Sequence, residues 1–511
     1  MSEGDLAQLA GVVGAGGAAL ALLAGRRLTI LSGLALIVVA EVLLGLSIAG
    51  TDTLEDVVGP AAAAAGAGAV ILLAAGAAVF VRYPAFVIPA LLLAAPFRLP
   101  FDFDRDHRFF FALAESGRLG RLVPLYVVLA AAATAYAWRV LRQGVVAPVP
   151  RLVAVPVAAF LALASVSLLW SRDLDAGANL LAFFLLPFAV LVAVVARAEL
   201  APWLPKALAW ISIGLASVFA AVGLWQEATK DLFFFSPQLE LANAYSSFFR
   251  VTSLFTDPSL YGRHVVLGFA VLLVLIWTGR INVYLAAGLA ALLFGGLYFS
   301  YSQTSMASLF AVAFIVTLIA GDRVARRAVV AATGIVLLAA AGFVAVDAKD
   351  QSIGDVTSGR STRVERTVDV VREAPIFGVG LGAQPEASQD LAEQDGARTA
   401  RFVSHTTQLT VAAELGIVGL AIYALLLAAA ARMVWLLRRY DEALALSIGA
   451  VLLALFVHAL AYSGFFEDPI TWLALGIGAA YLAVPAPARE NAAETSKTDP
   501  APAGEPVPST R

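Results

Sequence analysis

Two segments of this chain gather cationic side chains between long apolar stretches. The first, Phe248–His264, reads FFRVTSLFTDPSLYGRH. The second runs from Ser358 to Gly416 and contains SGRSTRVERTVDVVREAPIFGVGLG and then SHTTQLTVAAELG. A guanidinium fork matches the oxygens of a carboxylate or phosphate. A histidine titrates near neutrality and can take a proton or donate to an oxyanion. A membrane protein that holds such groups over an aqueous face handles an anion. Arg250, Arg263, His264, Arg360, Arg363 and His405 are therefore the candidate residues, with Gln408 and Glu414 close behind.

In the first segment, Asp257-Pro258 reads as a helix start, with Asp as N-cap and Pro at the first helical position. Arg250 falls in the loop ahead of it, which must fold back toward the membrane through Leu254 and Phe255. Arg263 and His264 fall about a turn and a half inside the helix. Ionisable groups at that depth point to function because charge in lipid is costly. The competing reading for Arg263 is a side chain that snorkels to the surface.

In the second segment, Thr362-Arg-Val-Glu365 is a capping box that predicts a helix from Arg363. Val364, Val368 and Val371 would give it an apolar stripe, Ala374-Pro375 would stop it, and Gly378-Val-Gly380-Leu-Gly382 reads as a turn-rich exit. This predicts an amphipathic helix on the outer face. Arg360 precedes its N-terminus, where free N–H groups and the dipole favour an anion, so Arg360 reads as a phosphate or pyrophosphate seat. Arg363 and Arg366 share one face. For these and Arg372, a solvated face paired with Glu365, Asp369 and Glu373 is the preferred reading. His405 stands at the mouth of a later apolar run, with Gln408 a turn on and Glu414 deeper. Glu414-Leu-Gly416 reads as tight packing, with Glu414 hydrogen-bonded inside the bundle. His458 reads as a satisfied buried group, and His107 has no clear partner. No HExxH or cysteine cluster offers a metal site, and Asp102-Phe-Asp104 is a weak candidate only. No phosphate loop or dinucleotide fingerprint is present, so neither a cofactor nor a cytoplasmic nucleotide-sugar donor is expected.

The elements that must position these residues are membrane helices. Hydrophobic residues make up 60% of the chain, and spanning the hydrocarbon takes roughly 20 of them in a helix. About fifteen runs qualify: 6–24, 28–49, 58–81, 83–98, 122–140, 152–170, 177–197, 203–225, 259–278, 281–299, 303–320, 327–346, 406–431, 443–463 and 469–484. The fourth is short and carries Pro84 and Pro89. The runs do not alternate, which excludes a barrel. The fold class is thus an all-α polytopic membrane protein of about 12–15 transmembrane helices with a large external loop. The opening MSEGDLAQ lacks the positive charge of a secretory signal. Lys and Arg concentrate in alternate short loops, which places those loops in the cytoplasm. The N-terminus is then outside, the C-terminus inside, and both cationic segments outside. The loop Arg98–Arg121 dissents, with five arginines on the outer side. Residues 1–150 read as N-terminal transmembrane helices and 151–485 as the main membrane domain, with external loops 227–257 and 347–405. Residues 486–511 form a Pro/Ala/acidic tail without an apolar face, which reads as disordered.

Arg250-x-x-Ser-x-Phe-x-x-Pro-Ser259 resembles an element of the O-antigen ligase and polymerase superfamily of bacterial envelope proteins. Ser-Gly-Arg360 followed by Pro375 and Gly378-x-Gly380, and His405 with Leu409, Glu414 and Gly416, are similar to its second and third elements. Order, spacing and the large external loop agree over about residues 160–485. Ser259 stands where the family usually has Asn, Val364 where an aromatic is common, and Thr406 where Asn follows the His. The resemblance implies a membrane glycosyltransferase-like fold and transfer of a glycan from a polyprenyl-diphosphate donor at the outer face of the cytoplasmic membrane. It implies Arg250 and Arg360 on the diphosphate, and His405 as acceptor base or phosphate ligand. It also implies no metal and inversion at the anomeric carbon. The acceptor would be a glycan, lipid or protein, and no nucleic acid is involved. A ligase and a polymerase of lipid-linked repeats both fit. The rival of another class is a multi-span transporter or flippase, which would place ionisable groups at the midplane on broken helices.

Overall fold

The structure is a computed structural model. It describes residues 2–49, 60–97, 102–103, 109–110, 122–143, 146–234, 237–347, 360–394, 401, 403–462 and 464–484. The helices, in order, are α1 (Glu3–Leu23), α2 (Arg27–Ala49), α3 (Pro60–Arg82), α4 (Val87–Ala94), α5 (Val123–Gln143), α6 (Arg151–Val166), α7 (Leu174–Leu180), α8 (Leu186–Val195), α9 (Leu204–Thr229), α10 (Pro237–Tyr245), α11 (Pro258–Trp277) and α12 (Val283–Tyr298). They continue as α13 (Gln303–Ala320), α14 (Arg323–Asp347), α15 (Arg360–Glu373), α16 (Gln384–Gln394), α17 (Thr407–Leu437), α18 (Glu442–His458) and α19 (Pro469–Ala483). A π-helical turn, Leu181–Leu185, joins α7 to α8. Two short antiparallel strands, Asp102–Phe103 and Phe109–Phe110, lie between α4 and α5. The rest of the dissenting Arg98–Arg121 loop, with His107 and Asp104, lies outside the described residues, as does the tail from 485.

Among the described residues, nine helices are long and apolar enough to cross a bilayer, or ten if a bent pair counts as one. That pair joins the third run to the proline-bearing fourth: Gly66–Arg82 and Pro84–Ala94 meet at 112°, because Pro84 cannot continue the preceding helix. Three shorter apolar helices, α12, α18 and α19, complete the bundle. One contiguous apolar core runs from Ala7 on α1 to Ala479 on α19.

Helix starts follow local chemistry. Asp257 Oδ1 accepts from the backbone N–H groups of Ser259 and Leu260, both at 2.8 Å, and Pro258 opens α11 as its sequence predicts. Asp468-Pro469 repeats the device at α19. The capping box at Thr362 does not form: α15 begins at Arg360, three residues earlier. Each residue added to an existing helix gains a backbone hydrogen bond, and here extension prevails over a side-chain cap.

The bundle has two chemically distinct ends. At one, the Arg197 guanidinium donates to the carbonyls of Ala21, Leu22, Ala24 and Ala147. Arg280 pairs with Asp441 at 2.9 Å at the same end. The other end carries the loop before α11, the α12–α13 corner, α15, α16 and the starts of α7, α17 and α19.

Candidate functional site

The site is organised by a break in a helix. At Gly416 the backbone of α17 leaves helical geometry (φ 65°, ψ −165°), which a residue with a Cβ rarely adopts. The break frees backbone groups on both sides, and the segment after α15 takes them up. Val379 N–H donates to Ala413 O and Gly380 N–H to Glu414 O, both at 2.9 Å. Ile417 N–H donates to Pro375 O at 2.9 Å, and Val418 N–H to Ile376 O at 3.3 Å. Close approach is enforced on both strands of this clasp. A Cβ on Gly378 would lie 2.3 Å from the Glu414 carbonyl carbon, and one on Gly416 would lie 2.1 Å from Ile376 O. The glycine-rich exit and the Glu-x-Gly element, some 35 residues apart, are thus one feature.

The clasp fixes how α15 sits. The expected Val364–Val368–Val371 stripe is rotated: Val364 is 40% exposed, while Thr367 and Val370 are fully buried. Thr367 can be buried because its hydroxyl donates to Arg363 O at 2.7 Å. The rotation turns Arg363 inward, and its Nη1 contacts His405 Nε2. A guanidinium has no acceptor, so it donates and His405 accepts. Arg363 is therefore not part of a merely solvated face, as its charge pattern suggested. Gln384, fully buried, holds the histidine's loop by accepting from Ser404 N–H at 2.8 Å. Thr407 N–H donates to Ala459 O at 3.0 Å and Thr406 Oγ1 to Leu460 O at 3.2 Å, so the loop also rests on the end of α18.

The far side of α18 carries the first segment. Ser308 of α13 donates to Ala454 O at 2.6 Å, and Ser305 donates to Ser259 O at 3.3 Å. Arg250 Nε donates to Ser300 O at 3.4 Å, and its backbone is bracketed by Asn243 at 2.9 and 3.1 Å. Behind it, buried Gln226 of α9 accepts from the N–H groups of Thr252 and Ser253 and donates to Ser253 O. Ser253 itself has φ 55°, a conformation that this clamp sustains. Arg263 does not snorkel. Its guanidinium, 5% exposed, pairs with fully buried Asp468 at 3.0 Å, donates to Gly464 O at 3.2 Å and lies over the Tyr462 ring. His264 is buried, with Nδ1 2.9 Å from Leu260 O and its ring stacked on Phe255. Gln408 donates to the Tyr423 hydroxyl at 3.2 Å. Arg360 is the first residue of α15, and its side chain lies outside the described residues.

Beside His405 a cavity of about 760 Å³ opens between α7, the glycine exit, the Arg401–Val411 stretch and the α18–α19 loop. Val403 and Thr407, two residues either side of His405, line it, as do Glu414, Asp173, Asp175, Glu386 and Glu467. Phe160, Phe184 and Phe466 form its apolar floor. Glu414 is buried in its wall and faces the backbone N–H groups of Gly382 and Gln384. Asp173 and Asp175 have D-x-D spacing, which the sequence reading passed over. Asp173 caps α7 by accepting from Ala176 N–H at 3.0 Å. Among the described residues, no group of three His, Asp or Glu side chains is placed to hold a metal ion.

Gln226 and Gln384 are the site's unforeseen residues. Gln226 stands at the outer end of an apolar run, and Gln384 opens the polar helix after the glycine exit. No curated protein matches the chain. The family model described as O-antigen ligase matches residues 287–424, a stretch that includes Arg363, the glycine exit, His405, Glu414 and Gly416. Over that stretch the chain is similar to the O-antigen ligase family.

Proposed function

We propose that the protein transfers a glycan from a polyprenyl-diphosphate donor to an acceptor hydroxyl at the outer face of the cytoplasmic membrane. The observation that carries this reading is the Arg363–His405 contact, which joins a cation-bearing helix to the mouth of a spanning helix. Arg250 and Arg360 hold the diphosphate, and Arg363 turns from His405 toward it. That movement frees His405 Nε2. The acceptor oxygen then bonds to the anomeric carbon, the bond from that carbon to the diphosphate oxygen breaks, and the hydroxyl proton passes to His405 Nε2. A single displacement of this kind inverts the anomeric centre. Fixed guanidinium groups stabilise the departing charge without a metal ion. Lys/Arg-rich loops at the Arg197 end support its assignment to the cytoplasm.

The clasp weighs against the transport alternative. A transporter's broken helix leaves backbone groups open to its substrate. Here the groups freed at Gly416 are bonded to Pro375, Ile376, Val379 and Gly380.

The test uses cells deleted for the gene and complemented with wild type, Arg250→Ala, Arg360→Ala or His405→Ala. All three variants express and fold but fail to restore transfer, and lipid-linked glycan accumulates. Long lipid-linked chains identify a ligase, and single repeats identify a polymerase. Unchanged lipid-linked glycan on deletion refutes the reading. Transfer by purified protein survives EDTA; inhibition rescued by a divalent ion would instead bring in Asp102 and Asp104, or Asp173 and Asp175.

A further inference from the structure

The cavity next to the His405 loop is lined by more acids than bases. Five carboxylate side chains line it against two guanidinium groups, those of Arg172 and Arg401. Both arginines are already engaged: Arg172 at 2.7 Å with Glu373, which is not part of the lining, and Arg401 with two of the five carboxylates, Asp173 and Glu386. A diphosphate placed here would meet repulsion and find no unengaged fork. Carboxylates, however, accept hydrogen bonds from hydroxyl and ammonium groups, and the Phe466 floor offers an apolar surface to the C–H face of a sugar ring. The volume, about 760 Å³, falls in the range of small-molecule sites, about 300–1,000 Å³. One further observation points to a ligand. Thr407 is 5% exposed, lines the cavity, and its Oγ1 is buried with no hydrogen-bond partner. Buried hydroxyls are normally paired, and a ligand hydroxyl in the cavity would supply the partner.

We infer that this cavity is the acceptor subsite and that it takes a sugar with neutral or amino-bearing groups while turning away acidic sugars. The inference rests on the transfer reading above. It assigns the two substrates to opposite electrostatic halves of the site, with the donor's diphosphate among the arginines and the acceptor's sugar among the carboxylates. Thr407 and His405 lie at the seam.

The experiment uses full-length protein in phosphatidylglycerol/phosphatidylethanolamine nanodiscs. Saturation-transfer NMR is recorded with methyl glucoside, glucosamine and methyl glucuronide, the last differing from the first by one carboxylate. The glucoside and glucosamine receive saturation and the glucuronide far less. Thr407→Val and Glu467→Gln each weaken glucoside binding about fivefold, the equivalent of one hydrogen bond, and Thr407→Ser restores it. Undecaprenyl diphosphate binding, read by native mass spectrometry, is unchanged in these variants. Equal saturation by the glucuronide overturns the inference, as does glucoside binding indifferent to both substitutions. Loss of undecaprenyl diphosphate binding in Thr407→Val and Glu467→Gln assigns the cavity to the donor and also overturns it. Undecaprenyl diphosphate binding that survives both Arg250→Ala and Arg360→Ala overturns the diphosphate seat alone and leaves the sugar signals to decide the cavity.

Discussion

Arg263 and Asp468 separate a structural arginine from a substrate-binding one. The pair is buried, 5% and 0% exposed, with 3.0 Å between charges. At an effective dielectric of about 20, Coulomb attraction at that distance is about 5–6 kcal/mol. Desolvation of both ions offsets most of it, so the intact pair contributes little net stability. Breaking it is a different matter. Asp468→Asn keeps the oxygen that caps α19, which accepts from Ile470 N–H at 2.9 Å, but strands the guanidinium in the core. Arg263→Met strands the carboxylate. Each single change is expected to cost about 3–5 kcal/mol. The double variant removes both charges and loses chiefly the bond to Gly464 O, about 1 kcal/mol. Thermal unfolding followed by size-exclusion chromatography should therefore show two severely destabilised single variants and a largely recovered double variant. In complemented cells the double variant should also restore glycan transfer. A double variant as unstable as the singles would refute the ion-pair reasoning. A stable double variant without transfer would place Arg263 in the diphosphate seat.

Two further predictions concern the devices that shape the site. Gly378→Ala and Gly380→Ala should each lose about 1–3 kcal/mol from left-handed backbone alone, and more from contacts of 2.3 and 2.2 Å with Glu414 and Ser171; melting temperature checks this, and Gly68→Ala, with no neighbour within 4 Å, should be neutral. Gln226→Leu should leave the N–H groups of Thr252 and Ser253 unpaired, at about 1–3 kcal/mol each. Hydrogen exchange over residues 250–257 should then accelerate and transfer fall, whereas unchanged exchange would show that the Arg250 loop does not depend on this clamp.

Much of the architecture was legible from one-dimensional pattern. Apolar runs near bilayer length become helices because no other backbone state satisfies its own hydrogen bonds in lipid. Asp257-Pro258 started a helix where its chemistry said it would, since an N-cap and an N1 proline act on their immediate neighbours. The fourth run was marked as short and proline-bearing, and the chain turns sharply where it begins. Local signals erred where two local options compete or where burial decides. The Thr362 box lost to helix extension, and the stripe on α15 was off in phase because a threonine with a satisfied hydroxyl packs as well as a valine.

The sequence by itself determined the class of the protein, the order of its elements and the residue types available to meet an anion, because composition, periodicity and capping are properties of short stretches. Only the tertiary structure decided which of those residues meet. It brought Arg363 to His405 through a glycine clasp formed with a helix break some 35 residues away. It committed Arg263 to Asp468, about 200 residues distant, and it gathered five carboxylates around one cavity next to the His405 loop. Those outcomes depend on long-range packing and on where each buried polar group finds its partner, and no window of the chain contains that information.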